Sequence, residues 1–215
     1  MLLENLRRKV LETALQLSDY GLVWMAGGTA CARDPESGHV VVTPSGLAYA
    51  ALSAADMIVV DANMTVLEGD YRPSVATNLW LSFFNARPDI HGIIHTHSPY
   101  ATAFSVTYQP IPIITETMAD WFGTEIPVAP YTHIEDPWFT TKPVEIMAAG
   151  FAVLLGQHGP ITVGTTIEEA LERAVTLEES AKIYTIARTI GTPQPLTAAQ
   201  AERSFEYYQN RYGQK

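Results

Sequence analysis

The longest uninterrupted pattern in the sequence lies between Thr166 and Gly191. Thr166-x-x-Glu169 has the form of a capping box, and Ala170, Ala174, Leu177, Ala181 and Tyr184 then recur on one helical face until Gly191-Thr192-Pro193. A helix with one apolar face must bury it against another layer. The rest of the chain supplies short strands for that layer. His39–Thr43, Met57–Asp61 and Ile90–His97 read as β-type runs, set off by the turn clusters Asp34-Pro35-Glu36-Ser37-Gly38 and Pro44-Ser45-Gly46. Ala152–Leu155 and Ile161–Val163 flank Gln157-His158-Gly159-Pro160 as two strands meeting at a turn. Leu3, Leu6, Val10, Ala14 and Leu17 have helical spacing, which predicts a helix over 3–20 that stops at Asp19-Tyr20-Gly21. Helices are also expected over 74–86, 99–107 and 142–149. A second box, Thr197-x-x-Gln200, opens a short C-terminal helix. The expectation is one α/β domain over 1–215, with helices on a sheet and hairpin-length connections giving antiparallel pairs.

Composition narrows the function classes. The 215 residues carry 13 Lys+Arg against 23 Asp+Glu, a net charge of −10, so no electrostatic ground for nucleic-acid binding exists. With 47% hydrophobic and 17% charged residues, the chain can build a substantial core. The lone cysteine, Cys31, excludes an internal disulfide framework and a Cys-based zinc knuckle. The start, MLLENLRRKV, has charges at positions 4, 7, 8 and 9 and lacks the apolar run of a signal peptide. No stretch approaches the roughly 18 apolar residues of a membrane span. A soluble, cytoplasmic globular protein is expected.

The histidines are unevenly placed. His95-Thr96-His97 puts two imidazoles on one face of a strand, with Cα atoms roughly 7 Å apart, so both rings can converge on one ion. A bare H-x-H is a common pair, but this one ends an apolar strand, Ile93-Ile94, where an unpartnered imidazole is costly. His158, beside Gly159-Pro160, is the candidate third ligand. Three neutral imidazoles with an open position suit one divalent ion per subunit as a Lewis acid. Zinc is preferred; manganese, cobalt and iron are alternatives. His39, His91 and His133 read as ordinary surface residues.

These residues, taken in order, carry a resemblance. Gly92-Ile-Ile-His95-Thr-His97-Ser98, Ala101-Thr102-Ala103, Met118-Ala-Asp120-Trp-Phe122 and Gln157-His158-Gly159-Pro160 resemble the class II aldolase/adducin family. Within it, ribulose-phosphate 4-epimerases and fuculose-phosphate aldolases are nearest. Arg33-Asp-Pro-Glu-Ser-Gly38, Thr43-Pro-Ser-Gly46, Val59-Val-Asp61, Glu68-Gly-x-Tyr-Arg-Pro-Ser74 and the terminal Tyr212-Gly213-Gln214 fit the same pattern. The resemblance implies a three-layer αβα sandwich around a mostly antiparallel sheet, and a fourfold-symmetric homotetramer with active sites between subunits. It implies metal ligands at His95, His97 and His158, and a cation stabilising the enediolate formed when a C–C bond breaks. Proton transfer would fall to Asp120 and Tyr212, and substrate binding to Gly28, Thr29, Ser45, Gly46 and Ser74.

The sequence also departs from that pattern. The family's carboxylate in Pro-Ser-Ser-(Glu/Asp) is Ala76 here, and its second serine is Val75. The Gly-Asn pair reads Gly28-Thr29, the epimerases' lysine before Pro-Ser-Gly is Thr43, and their C-terminal histidine has no counterpart. The changes cluster at the phosphate cradle and the base. The leading expectation is an aldolase or epimerase with weakened phosphate recognition. A metal-dependent decarboxylase of an oxo-acid is the alternative, since loss of CO₂ needs no base at carbon. An adducin-like binding module is the third reading, and three converging imidazoles argue against it.

Overall fold

The computed structural model describes residues 1–213. Its strands are β1 (Gly28–Arg33), β2 (Val40–Val42), β3 (Ile58–Val60), β4 (Val66–Glu68), β5 (Gly92–Thr96), β6 (Val128–Ala129), β7 (Ala152–Leu155) and β8 (Gly159–Gly164). They form one sheet in the order β4-β3-β2-β1-β5-β8-β7-β6. Only β6 and β7 pair in parallel; the other neighbours are antiparallel. The helices are α1 (Glu4–Asp19), α2 (Thr77–Ala86), α3 (Pro99–Thr107), α4 (Glu116–Phe122), α5 (Lys142–Met147), α6 (Ile167–Ile190) and α7 (Ala198–Arg211).

Strand alternation sorts the core into two faces. Cys31, Val40, Val42, Ile58, Ile93 and Ile161 point toward α2 and α5, where they meet Leu79, Trp80, Phe83 and Met147. Ala30, Ala32, Val41, Val59 and Ile94 point the other way, onto α1 and α6. Helices α3, α4 and α7 extend that second layer over Ala152 and Leu154. The result is the expected three-layer α/β sandwich. Among the described residues, no helix is long and apolar enough to cross a membrane.

Two arginines, Arg33 half-buried and Arg173 fully buried, tie the layers together. Arg33, at the end of β1, donates to the carbonyls of Phe84 in the last turn of α2 and of Pro88 and Ile90 in the loop that follows, at 2.8, 2.8 and 2.6 Å. Arg173 of α6 donates to the carbonyls of Val163 and Trp121 at 2.7 and 3.1 Å and pairs with Glu169 at 2.7 Å. Its guanidinium lies 3.9 Å from the Phe151 ring centroid.

The differences from expectation are local. The Thr166 hydroxyl accepts the Glu169 N–H at 3.1 Å, but the Glu169 carboxylate bonds to Thr165 and Arg173 rather than closing a reciprocal box. At Thr197 and Gln200 the reciprocal box is complete. The helix expected from 74 starts at Thr77, because Ser74–Ala76 form a turn in which the Ser74 carbonyl accepts the Thr77 N–H. Strands β1, β4 and β6 and helix α4 lie outside the expected elements. His133 is exposed as expected, whereas His39 and His91 are half-buried, and the Nδ1 of each is enclosed without a hydrogen-bond partner.

Candidate metal centre

Strand β5 runs through the middle of the sheet and ends at the site. His95 shares the face of Ile93 and lies beside the Trp80 ring, 5.7 Å between centroids. His97 lies one residue past the strand end, and His158 sits in the turn between β7 and β8, directly across from it. Gln157 adopts a left-handed backbone, φ 58°, to make that turn.

The three rings converge through their Nε2 atoms. His95 Nε2 lies 3.1 Å from His97 Nε2 and 3.3 Å from His158 Nε2. All three candidate ligand atoms fall within 4.8 Å of one another. Nitrogens held about 2.0–2.1 Å from a tetrahedral ion stand about 3.3–3.4 Å apart, so the spacing suits one cation. The second nitrogen of His95 faces the Pro160 carbonyl oxygen at 2.9 Å. That contact makes Nδ1 the donor and leaves the Nε2 lone pair for a ligand bond.

Packing holds the His97 ring from both sides. A Cβ at Gly27 would come 3.2 Å from His97 Nδ1, and one at Gly159 would come 3.3 Å from His97 Cδ2 while colliding with the Thr96 carbonyl. Position 159 requires glycine for this close approach, and a side chain at Gly27 would press on the His97 ring and the Trp24 carbonyl. The electrostatics favour neutral imidazoles. Desolvation, reinforced by His158 and His97, lowers the His95 pKa well below its ordinary 6.5. Desolvation also lowers His97. Desolvation and the neighbouring His97 bring His158 to about 4, although part of that residue reaches the surface. Neutral imidazole is the form that binds a metal.

A cavity of 150 Å³ opens onto the three rings. Gly28, Thr29, Ser45, Gly46 and Ser74 all line it, as do Val75 and Ala76. The wall is zipped by its backbone: Ser74 N–H donates to the Thr43 carbonyl at 3.2 Å, and Ser45 N–H to the Arg72 carbonyl at 2.9 Å. Thr29 Oγ1 and Ser74 Oγ lie 3.1 Å apart, buried against each other. No Lys, Arg, Asp or Glu is among the lining residues. A larger groove of 540 Å³ is lined by Glu116, Arg203 and Tyr207 but offers no converging ligands.

Asp120 and Tyr212 lie elsewhere in the subunit. Asp120, on α4, accepts a hydrogen bond from Ser204 Oγ of α7 at 2.7 Å. Tyr212 caps the end of α7, is 57% exposed, and stacks on Tyr208 at 4.8 Å. Neither lines the histidine cavity. Gln214 of the terminal motif lies outside the described residues. The Pro160 carbonyl and the glycines behind His97 escaped sequence reasoning, since a backbone acceptor and a missing Cβ carry no chemical signature of their own.

An αβα sandwich whose central strand brings three histidines together at one cavity is consistent with metal-dependent C–C bond chemistry. The family described as Class II Aldolase and Adducin N-terminal domain matches residues 8–185, and the chain belongs to that family. Solved structures agree. An L-fuculose 1-phosphate aldolase superposes with a TM-score of 0.91 at 27% identity, covering 95% of this chain and 96% of that one. YgbL from Escherichia coli, described as a candidate aldolase/epimerase/decarboxylase, superposes at 0.83 with 26% identity, covering 94% and 98%. The L-fuculose 1-phosphate aldolase from Glaciozyma antarctica PI12 gives 0.81 and 27%, covering 94% and 81%.

Proposed function

We propose that this protein is a metal-dependent aldolase or epimerase acting on a small hydroxylated oxo compound. One divalent ion per subunit, zinc by preference, would be held by His95, His97 and His158. The convergence of the three Nε2 atoms, with His95 oriented by Pro160, is the observation that carries this reading. The bound ion supplies Lewis acidity, stabilising negative charge that develops on the substrate's carbonyl and hydroxyl oxygens.

The chain's own groups set what can be bound. Thr29 and Ser74 offer hydroxyls, and the Ser45-Gly46 and Gly28 backbones line the same wall. Val75 stands where a further hydroxyl would help a phosphate, so the reading favours carboxylate-bearing or unphosphorylated substrates. Asp120 and Tyr212 carry the proton transfers, reaching the cavity of a neighbouring copy in a homotetramer with active sites between subunits. Their distance from the subunit's own cavity supports that arrangement. A cytoplasmic protein is consistent with this chemistry.

Ala76 at the cavity wall favours a second reading, decarboxylation of an oxo-acid, which does not require proton abstraction from carbon. Supplying zinc-loaded protein with hydroxylated oxo-sugars and with oxo-acids separates the two. Aldehyde release, or inversion at a hydroxyl-bearing carbon, supports the first, and CO₂ release supports the second. Neither product, with metal bound, contradicts both.

A further inference from the structure

Glu178 is a buried carboxylate that the proposed chemistry does not use. It lies on α6, 7% exposed, on the side of the sheet opposite Trp80. Its Oε1 accepts the Tyr100 N–H at 2.9 Å and its Oε2 accepts the Ala101 N–H at 2.9 Å. These are donors of the first turn of α3, which begins two residues after His97. The local N-cap, Ser98, gives that turn no side-chain hydrogen bond, and its hydroxyl instead accepts from Thr96 at 3.2 Å. The cap therefore comes from another helix, 77 residues away in sequence from Ala101. A buried carboxylate is costly unless fully hydrogen-bonded, and the positive end of a helix is a favourable place for it.

The other end of α3 reaches the second ligand segment. The Ser105 carbonyl accepts the N–H of Gln157 at 3.2 Å, one residue before His158. Ser105 is fully buried, and its hydroxyl is held by the Thr102 carbonyl at 2.8 Å. One short helix thus spans the interval between the His97 segment and the His158 turn. Gln157 keeps its left-handed conformation, φ 58°, at this junction.

We propose that Glu178 is a positioning residue for the metal centre: it anchors α3, and α3 fixes the spacing between His97 and His158. This inference rests on the three histidines binding a metal. Glu178→Gln replaces one acceptor oxygen with an NH₂ that faces a backbone N–H, so one hydrogen bond is lost and two donors oppose each other. Groups bonded directly to metal ligands contribute about ten- to a hundredfold in affinity; Glu178 acts one step further out, through α3, so an effect at the low end of that range is expected.

The test is a zinc dissociation constant, measured by competition with a chromophoric chelator on the full chain, for wild type, Glu178→Gln and the exposed neighbour variant Glu179→Gln. The expected result is a rise of about tenfold or more for Glu178→Gln only, with an altered visible spectrum of the cobalt-substituted protein at saturation. Equal affinities and spectra in all three overturn the proposal while leaving the metal site intact. Zinc binding by none of them, wild type included, overturns the metal site and this proposal together. Should Glu178→Gln fail to fold, amide exchange on the wild-type protein decides. Coupling is reciprocal, so zinc should slow exchange at Tyr100, Ala101 and Gln157 by about tenfold or more, beyond its effect at Val10 and Ala14 in α1. Equal slowing at all five overturns the proposal.

Discussion

His95 Nδ1 lies 2.9 Å from the carbonyl oxygen of Pro160 on the adjoining strand, so the ring donates on one side and turns its Nε2 lone pair toward His97 and His158 on the other. The same burial that orients it keeps it uncharged. His95 and His158 both have folded pKa values below the ordinary 6.5, His158 at about 4. Above pH 6.5 they are neutral in both folded and unfolded chains. Below 6.5 the unfolded chain takes up protons that the folded chain refuses, so stability falls with pH until the folded groups titrate. Chelator-treated protein should therefore show a decreasing urea midpoint from pH 6.5 to about 5, with a shallower slope in His158→Gln. An unchanged midpoint across that interval, or an equal slope in the variant, contradicts this account.

Much of this arrangement was legible in the sequence because its signals are local. The H-x-H spacing, the His-Gly-Pro turn and the apolar lead-in Ile93-Ile94 mark the three histidines that converge. Helices α1, α3 and α6 appear within a residue or two of their expected limits. Strand β1 was not legible, since Gly28-Thr-Ala-Cys-Ala-Arg33 is dominated by small residues with weak strand preference. It is a strand because β2 and β5 flank it, a tertiary fact. Helix α4 had a readable start and stop, Thr115 accepting from Met118 N–H and Gly123 in a left-handed cap, but it is only seven residues long. The half-burial of His39 and His91 was hidden because their sequence neighbours Ser37, Gly38 and Asp89 are indeed exposed, while long-range pairings such as His91 N–H to the Gly164 carbonyl draw the histidines inward.

Arg173 should be among the most costly single positions to change. It is 1% exposed and satisfies carbonyls on β8 and α4 while pairing with Glu169. Arg173→Met removes all of these bonds and leaves their partners short of donors. Urea unfolding at neutral pH should show a loss of about 3–5 kcal/mol, as when one partner of a buried pair is removed. A loss below about 1 kcal/mol, the range of an exposed ion pair, contradicts this assignment.

Val75 should limit phosphate binding. It lines the cavity next to Ser74 and is 70% exposed. A hydrogen bond to a charged group is worth about 1.5–3 kcal/mol, or about ten- to a hundredfold in affinity. Val75→Ser should tighten binding of inorganic phosphate to the zinc-loaded protein by that factor, measured by calorimetry. Micromolar binding of a pentulose or hexulose phosphate by wild type, unchanged in Val75→Ser, contradicts it.

Asp120 and Tyr212 give a test of the shared site. If each cavity is completed by a neighbouring copy, His97→Ala and Tyr212→Phe chains are each inactive alone. Mixed tetramers then contain some sites with intact groups from both. Co-refolded mixtures should regain a fraction of wild-type turnover, and sedimentation should report a tetramer. A monomer at micromolar concentration, or no recovery in mixed tetramers, contradicts the shared site.

The central claim is that His95, His97 and His158 hold one divalent ion. Its most direct test is metal content after equilibrium dialysis against buffered zinc, by elemental analysis, for wild type and His97→Ala with circular dichroism confirming the fold of each. The account predicts one zinc per chain in wild type and none bound stoichiometrically in the variant. Equal zinc in both, or none in wild type, would contradict it.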